Sequence, residues 1–274
     1  MANILQTILE TKRREVIEAS ACVSIDELKR KITELAPTRD FVRAIRSKLA
    51  LGQPAVIAEI KRKSPSAGLF RAEGDFDPAA FAASYAANGA ACLSVLTDCE
   101  YFGGSADDLA AARKACPIPI LRKDFVVSEY QIYEARAMGA DAVLFIMGAM
   151  KIESFIALED IAQSLGLAVL AESHTERQLE QALLLKTPLM GINNRDLTMF
   201  STDLETTIKL APMVPVDRIV VTESGVENTQ AVDLMRENGV YSFLVGGALM
   251  READPGAALA QLFANFTRDG IWSS

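Results

Sequence analysis

Histidine is nearly missing from this chain of 274 residues, with His174 the single example. A zinc centre built from several histidines and a helix-borne HExxH site are thereby excluded. Cysteine is scarce and unpatterned: Cys22, Cys92, Cys99 and Cys116 form no CxxC pair. Such thiols in an intracellular enzyme are read as buried and reduced, with no disulfide and no thiolate metal site. Metal catalysis is thus disfavoured, with a carboxylate-held magnesium site the one kind left open. Positive charge is also in deficit, with 28 Lys and Arg against 36 Asp and Glu and a net charge of −8. That balance disfavours a nucleic-acid partner, so any anionic ligand must be drawn in by a local cluster of cations. No apolar run approaches the roughly 18 residues of a membrane span. The opening MANILQTILETKRREV carries Glu10 and Glu15 among its bases and lacks an apolar core before a small-residue cleavage site, unlike a secretory or transit signal. A cytoplasmic location away from membranes is the resulting expectation.

What the chain does hold is a repeated pattern. Eight short apolar runs recur: 55–61, 91–97, 118–124, 141–147, 167–173, 189–195, 218–224 and 240–247. Segments of helical period separate them, so the pattern is βα eight times over, and it predicts a single (β/α)8 TIM barrel over residues 1–274. Helix punctuation agrees with this. Asp77 and Pro78, Ser128, Thr175 and Asp203 stand where helices should start, and Gly89, Gly139, Gly166 and Gly239 where they should stop. Residues 1–50 precede the first strand as an N-terminal helical cap, with apolar stripes at Ile4, Leu5, Ile8, Leu9, Val16 and Ile17 and at Phe41, Ile45 and Leu49. Such a cap either packs against one end of the barrel or covers the substrate.

The reactive side chains fall where the apolar runs end. In a barrel of this kind those ends share one mouth, so Glu59, Lys61, Lys123, Glu172, Asn193, Glu223 and Ser224 should converge. Glu59 and Lys61 lie two apart and share a strand face, as an ion pair or as a site using both charges. Lys123 could serve as a general acid, a Schiff-base nucleophile or an anion anchor. The carboxylates of Glu172 and Glu223 supply partners for acid–base work. TESGV (222–226) and LVGGALM (244–250) place glycines at the two strand-to-helix turns where this fold usually binds phosphate. The loop after the first strand, KRKSPSAGLFRAEGDFD, is long for a βα connection and reads as a lid with Gly68 and Gly74 as hinges. Asp98 and residues 101–105 form a turn with an aromatic edge, lining a pocket for a flat ring or packing the loop. His174 reads as a loop or helix-start residue.

Taken together, IAEIKRKSPSAG (57–68), LSVLTDCEYFGGS (93–105), LRKDFVVSEYQIYEARAMGADAVLFI (121–146), GINNRDL (191–197), TESGV and FLVGGALM resemble the indole-3-glycerol phosphate synthase family over nearly the whole chain. The resemblance implies ring closure of 1-(2-carboxyphenylamino)-1-deoxyribulose 5-phosphate to indole-3-glycerol phosphate, with loss of carbon dioxide and water and without metal or cofactor. It implies that Lys123 protonates the substrate carbonyl, that Glu172 moves a proton in the later dehydration, and that Glu59 and Lys61 position the substrate and assist that dehydration. It further implies that Asn193 and Glu223 orient hydroxyls and charged groups, and that Arg195 anchors the anthranilate carboxylate. Ser224, Gly225, Gly246 and Gly247 would meet the phosphate and ribulose, with Ser64 of the lid loop as a further substrate contact. Two stretches depart from the family pattern: Ser173 stands where valine is more familiar, and Gly246-Gly247-Ala248 lacks a larger or hydroxyl residue. The implied partner is a phosphorylated small molecule, and association with other tryptophan-pathway enzymes stays open.

Competing expectations are a Schiff-base aldolase built on Lys123 and a barrel that binds a phosphorylated ligand without turnover. An isomerase of the same pathway would need an aspartate and cysteine pair, and no cysteine ends the first run.

Overall fold

The computed structural model describes residues 4–196 and 201–266. Among them, eight parallel strands close into a barrel in the order β1-β10-β9-β8-β7-β6-β5-β4, with β4 paired back to β1. The strands are β1 (Ala55–Ile60), β4 (Cys92–Leu96), β5 (Ile120–Lys123), β6 (Ala142–Ile146), β7 (Ala168–Ser173), β8 (Leu189–Asn193), β9 (Ile219–Glu223) and β10 (Ser242–Val245). Each falls inside one of the eight apolar runs. The two remaining strands, β2 (Lys63–Ser64) and β3 (Gly68–Leu69), pair antiparallel as a small hairpin in the loop after β1. That loop is therefore folded, and Gly68 takes the left-handed conformation its tight turn requires, φ 71°.

The strands are buried on both faces, which is why they read as continuous apolar runs rather than alternating ones. The pleat still divides them. Val56, Ala58, Ile60, Val143, Phe145 and Val169 point outward into the layer shared with the helices. Ile57, Leu121, Leu170, Val221 and Leu244 point inward and fill the lower barrel. Two residues further along, the same inward rows carry Glu59, Lys123, Glu172, Glu223 and Gly246. With a period of two, one strand face thus passes from apolar base to charged mouth within a single step.

Three helices precede the barrel: α1 (Ile4–Cys22), α2 (Ile25–Thr33) and α3 (Phe41–Ala50). Ser24 begins α2 with a full capping box, its hydroxyl accepting from Glu27 N–H while the Glu27 carboxylate returns to Ser24 N–H. Phe41 and Ile45 of α3 join the lower barrel cluster and plug the base. The outer helices are α4 (Pro78–Ala87), α5 (Ala106–Ala115), α6 (Glu129–Met138), α7 (Ile152–Ser164), α8 (Glu176–Ala182), α9 (Glu205–Leu210), α10 (Thr229–Glu237), α11 (Gly247–Met250) and α12 (Pro255–Leu262). Val16 and Ala19 of α1 and Leu28 of α2 pack on Tyr130 and Ala137 of α6, so the N-terminal segment descends the barrel wall from mouth to base.

Ser128 and Thr175 cap their helices as expected, and Gly139 closes α6 at φ 92°. Asp203 is displaced by one: Leu204 is the N-cap of α9, although the Asp203 carboxylate still accepts from Glu205 N–H at 3.0 Å. The expectation of buried thiols is corrected for half the cysteines, since Cys22 and Cys99 are exposed. Cys22 ends a helix and Cys99 sits in a loop, where no second layer covers them. No helix among the described residues is long and apolar enough to cross a membrane.

Candidate active site

The mouth of the barrel opens into a cavity of about 1250 Å³, counted out to open solvent, and every site residue expected from the sequence lines it. Glu59, Lys61, Lys123, Glu172, Asn193 and Glu223 come from strand ends. Ser64 comes from the hairpin, Arg195 follows β8, and Ser224, Gly225, Gly246 and Gly247 follow β9 and β10.

At the centre stands Lys123. Its ammonium donates to Glu172 Oε2 at 2.8 Å and to Glu223 Oε2 at 2.7 Å, and all three side chains are almost fully buried. Asn193 Nδ2 donates to the other Glu172 oxygen at 3.2 Å, while Asn193 Oδ1 accepts from Arg195 N–H. Lys61 and Glu59 form a second ion pair at the end of β1. Burial pushes Lys123 toward neutrality, but Glu172, Glu223 and Glu59 outweigh it and raise its pKa well above the usual lysine value. Burial pushes both glutamates upward too. For Glu172 the Lys123 ammonium prevails and brings it to about 2, whereas Glu223, also facing the Glu172 charge, rises to about 8. Two carboxylates around one ammonium thus titrate as a pair, with Glu172 held toward its ionised form and Glu223 drawn toward its neutral one. The mouth sets two glutamates of opposed proton affinity beside a charged lysine, the combination acid–base catalysis requires.

Room for these groups is made by glycine. A Cβ built on Gly191 would stand 2.4 Å from Glu223 Oε1, and one on Gly246 would stand 2.3 Å from Glu59 Oε1. Gly191→Ala is expected to displace Glu223 from Lys123 and to cut kcat by about 10²-fold while the fold persists. Steady-state kinetics beside a thermal melt checks this, and an unchanged kcat would mean that the Glu223 position does not matter. At the end of β9 the backbone turns sharply: Ser224 has φ 64°, the one positive value among described non-glycine residues, and Gly225 has φ 84°. Such strain persists only where the surroundings impose it and gathers at functional sites. Buried Asn194 supplies that imposition, donating to Thr222 Oγ1 and to the Glu223 and Ser224 carbonyls at 2.9–3.0 Å.

Two further contributors, Phe70 and Ser66, give no signal of their own in the sequence. Phe70, after the hairpin, lies between two cations, 5.2 Å from Lys61 Nζ and 5.1 Å from the Arg251 guanidinium. Ser66 of the hairpin bonds to the Arg195 guanidinium. Ile4, Leu5 and Ile8 form an apolar wall of the cavity, so α1 reaches the mouth. It is held there by Lys12, buried at 2.7 Å from Asp98 and 3.1 Å from Asp124. Asp98 also receives the Tyr101 and Phe102 amides, and Phe102 faces Phe125 at the cavity wall, ring centroids 6.1 Å apart. The aromatic turn after β4 therefore both packs its loop and lines the pocket. His174 lies 3.5 Å from Glu172 Oε1, nearer the chemistry than a helix-start residue need be. The 191–197 motif ends on Leu197, which lies outside the described residues.

A family model for indole-3-glycerol phosphate synthase matches residues 5–262. The indole-3-glycerol phosphate synthase of Acidithiobacillus ferrooxidans is 54% identical over 263 residues, covering 96% of this chain and 99% of that protein. That of Chromobacterium violaceum is 53% identical over 263 residues, covering 96% and 98%. Among solved structures, 3-hexulose-6-phosphate synthase matches with a TM-score of 0.60 at 16% identity, covering 77% of this chain and 98% of that one. The tryptophan synthase alpha subunit of Legionella pneumophila matches at 0.58 and 12% identity, covering 82% and 97%. At those identities the structural likeness speaks for the barrel fold alone.

Proposed function

This chain belongs to the indole-3-glycerol phosphate synthase family, and from that premise we propose how its barrel mouth performs the ring closure. The activity is that of a carboxy-lyase of tryptophan biosynthesis, acting on a phosphorylated small molecule. The substrate phosphate rests against the Ser224–Gly225 turn and the Gly246–Gly247 backbone, and Arg195 meets the anthranilate carboxylate. The aromatic ring lies against Phe102, Phe125 and the Ile4, Leu5 and Ile8 wall, which excludes water and brings ring carbon and carbonyl together.

Lys123 gives its proton to the carbonyl oxygen as the ring carbon attacks, stabilising charge where it develops. Carbon dioxide then leaves. Glu172 takes a proton from the ring-closed intermediate while Lys61, paired with Glu59, gives one to the hydroxyl that leaves as water, with Asn193, Glu223 and Ser64 orienting the sugar chain. The observation that carries this reading is the sharing of one buried lysine by two carboxylates. Binding alone needs no such opposed, buried charges, which speaks against a silent ligand-binding barrel. A lysine held charged is a proton donor and a poor nucleophile, which speaks against a Schiff-base aldolase. Cys92 sits in the cluster at the barrel base, far from an isomerase's place for it. A cytoplasmic location is kept from the sequence.

Substrate carrying isotope in its carboxylate separates the assigned steps. Glu172→Gln is expected to release labelled carbon dioxide while indole formation falls by about 10²-fold or more. Equal loss of both products would refute a role confined to dehydration.

A further inference from the structure

We propose that His174 is a positioning residue for Glu172, its imidazole holding the Oε1 edge of that carboxylate from behind the cavity so that the Oε2 edge faces the reaction. The inference rests on the role given to Glu172 above. The Glu172 carboxylate is divided between two sets of partners. Oε2 receives Lys123 at 2.8 Å. Oε1 receives Asn193 Nδ2 at 3.2 Å and has His174 Nε2 at 3.5 Å. His174 is not among the side chains lining the cavity, and its side chain is 12% exposed. Its Nε2 is buried without a hydrogen-bond partner. A buried polar atom left so is costly, and one aimed at a carboxylate oxygen a few tenths of an ångström beyond bonding distance is poised to bond it.

The backbone explains how the ring is held. His174 follows the last residue of β7, and its N–H donates to Gln178 Oε1 at 2.8 Å, one turn into α8. Thr175 caps the same helix by accepting from Gln178 N–H. This short turn fixes the ring against the flank of Glu172.

The consequence appears during turnover. While Lys123 lies on Oε2, its charge offsets the burial of Glu172. When Lys123 turns to the substrate carbonyl, the carboxylate loses that partner and must stay ionised and aligned for its own step. His174, as its Nε2–H tautomer or charged, closes the remaining gap to Oε1 and keeps the carboxylate in place. The effect of His174 on Glu172 runs in the required direction, second among the charges that lower its pKa after Lys123, both acting against burial.

A double-mutant cycle on indole formation tests this, with His174→Leu, His174→Gln, Glu172→Gln and Glu172→Gln/His174→Leu in the full-length chain. His174→Leu is expected to lower kcat about ten- to a hundredfold with KM nearly unchanged. His174→Gln, which restores an N–H near the Nε2 position, should recover most of the loss. The double variant should be no worse than Glu172→Gln alone, since His174 acts through that carboxylate. Wild-type kcat in His174→Leu, a loss confined to KM, no recovery in a folded His174→Gln, or additive losses would each overturn the inference. Full activity in Glu172→Gln would instead overturn the role of Glu172 and the inference with it.

Discussion

Lys123→Ala is expected to lower kcat by at least about 10²- to 10³-fold while leaving substrate affinity within about tenfold. The asymmetry follows from where the contacts lie. The proposed phosphate and carboxylate anchors follow β9, β10 and β8, whereas Lys123 ends β5 and is assigned to the carbonyl. Its loss also strikes the two carboxylates it serves. Glu172 and Glu223 are buried, and without the ammonium each is driven toward its neutral form. The variant therefore loses the proton donor and the ionised base in one change. Lys123→Arg should rescue little, since the planar guanidinium fork cannot place a single point charge between Glu172 Oε2 and Glu223 Oε2. Single-turnover kinetics with a parallel binding titration checks both parts. A drop in affinity that matches the drop in kcat would instead make Lys123 an anchor for substrate.

Lys12→Met is expected to destabilise the protein by about 3–5 kcal/mol and to raise KM. Lys12 is 4% exposed and meets the carboxylates of Asp98 and Asp124, themselves 0% and 3% exposed, with Glu15 at the rim. Burial pulls its pKa down, yet Asp124 and Asp98 overcome that and hold the ammonium charged. The two aspartates would be affected unequally. Asp124 keeps Arg122 at 3.2 Å and the Thr97 hydroxyl at 2.6 Å. Asp98 would keep only the Tyr101 and Phe102 amides among its described partners. Asp98→Asn in the Lys12→Met background should therefore restore part of the stability. In a domain this size the single change should lower the melting temperature by roughly 6–20 °C. The rise in KM has a separate cause, since Lys12 pins the helix whose Ile4, Leu5 and Ile8 wall the cavity. A melting temperature within a degree of wild type would show that the buried cluster does not bind α1 to the barrel.

Both predictions turn on residues that the sequence displays very differently. Lys123 is legible because Ile118 and Ile120 precede it and because one inward strand face runs from Leu121 to Lys123. The same step from apolar base to charged mouth exposes Glu59, Glu172 and Glu223. Lys12 gives no such signal. It stands in a run of three cations with Arg13 and Arg14, as solvated surface lysines do, and only the packing of α1 on the loops after β4 and β5 buries it. An amphipathic stripe tells which side of α1 is covered but not what covers it. Gly191 likewise reads as an ordinary strand glycine, and its reason lies across the barrel in the Glu223 carboxylate. His174 reads as a loop or helix-start residue because no second histidine or cysteine stands near it in the chain, and its contact with Glu172, two residues before it, is visible only in the fold. Local periodicity thus carried the strands and their ends, and it failed wherever the meaning of a residue depended on a contact made by tertiary packing.

The most direct test is formation of indole-3-glycerol phosphate by the wild-type chain, followed by fluorescence, from 1-(2-carboxyphenylamino)-1-deoxyribulose 5-phosphate without added metal. The expected result is multiple turnover with one carbon dioxide released for each indole formed. Tight binding of that compound without product would make the mouth a silent phosphate-binding site, and failure to bind it at all would contradict the substrate assignment itself.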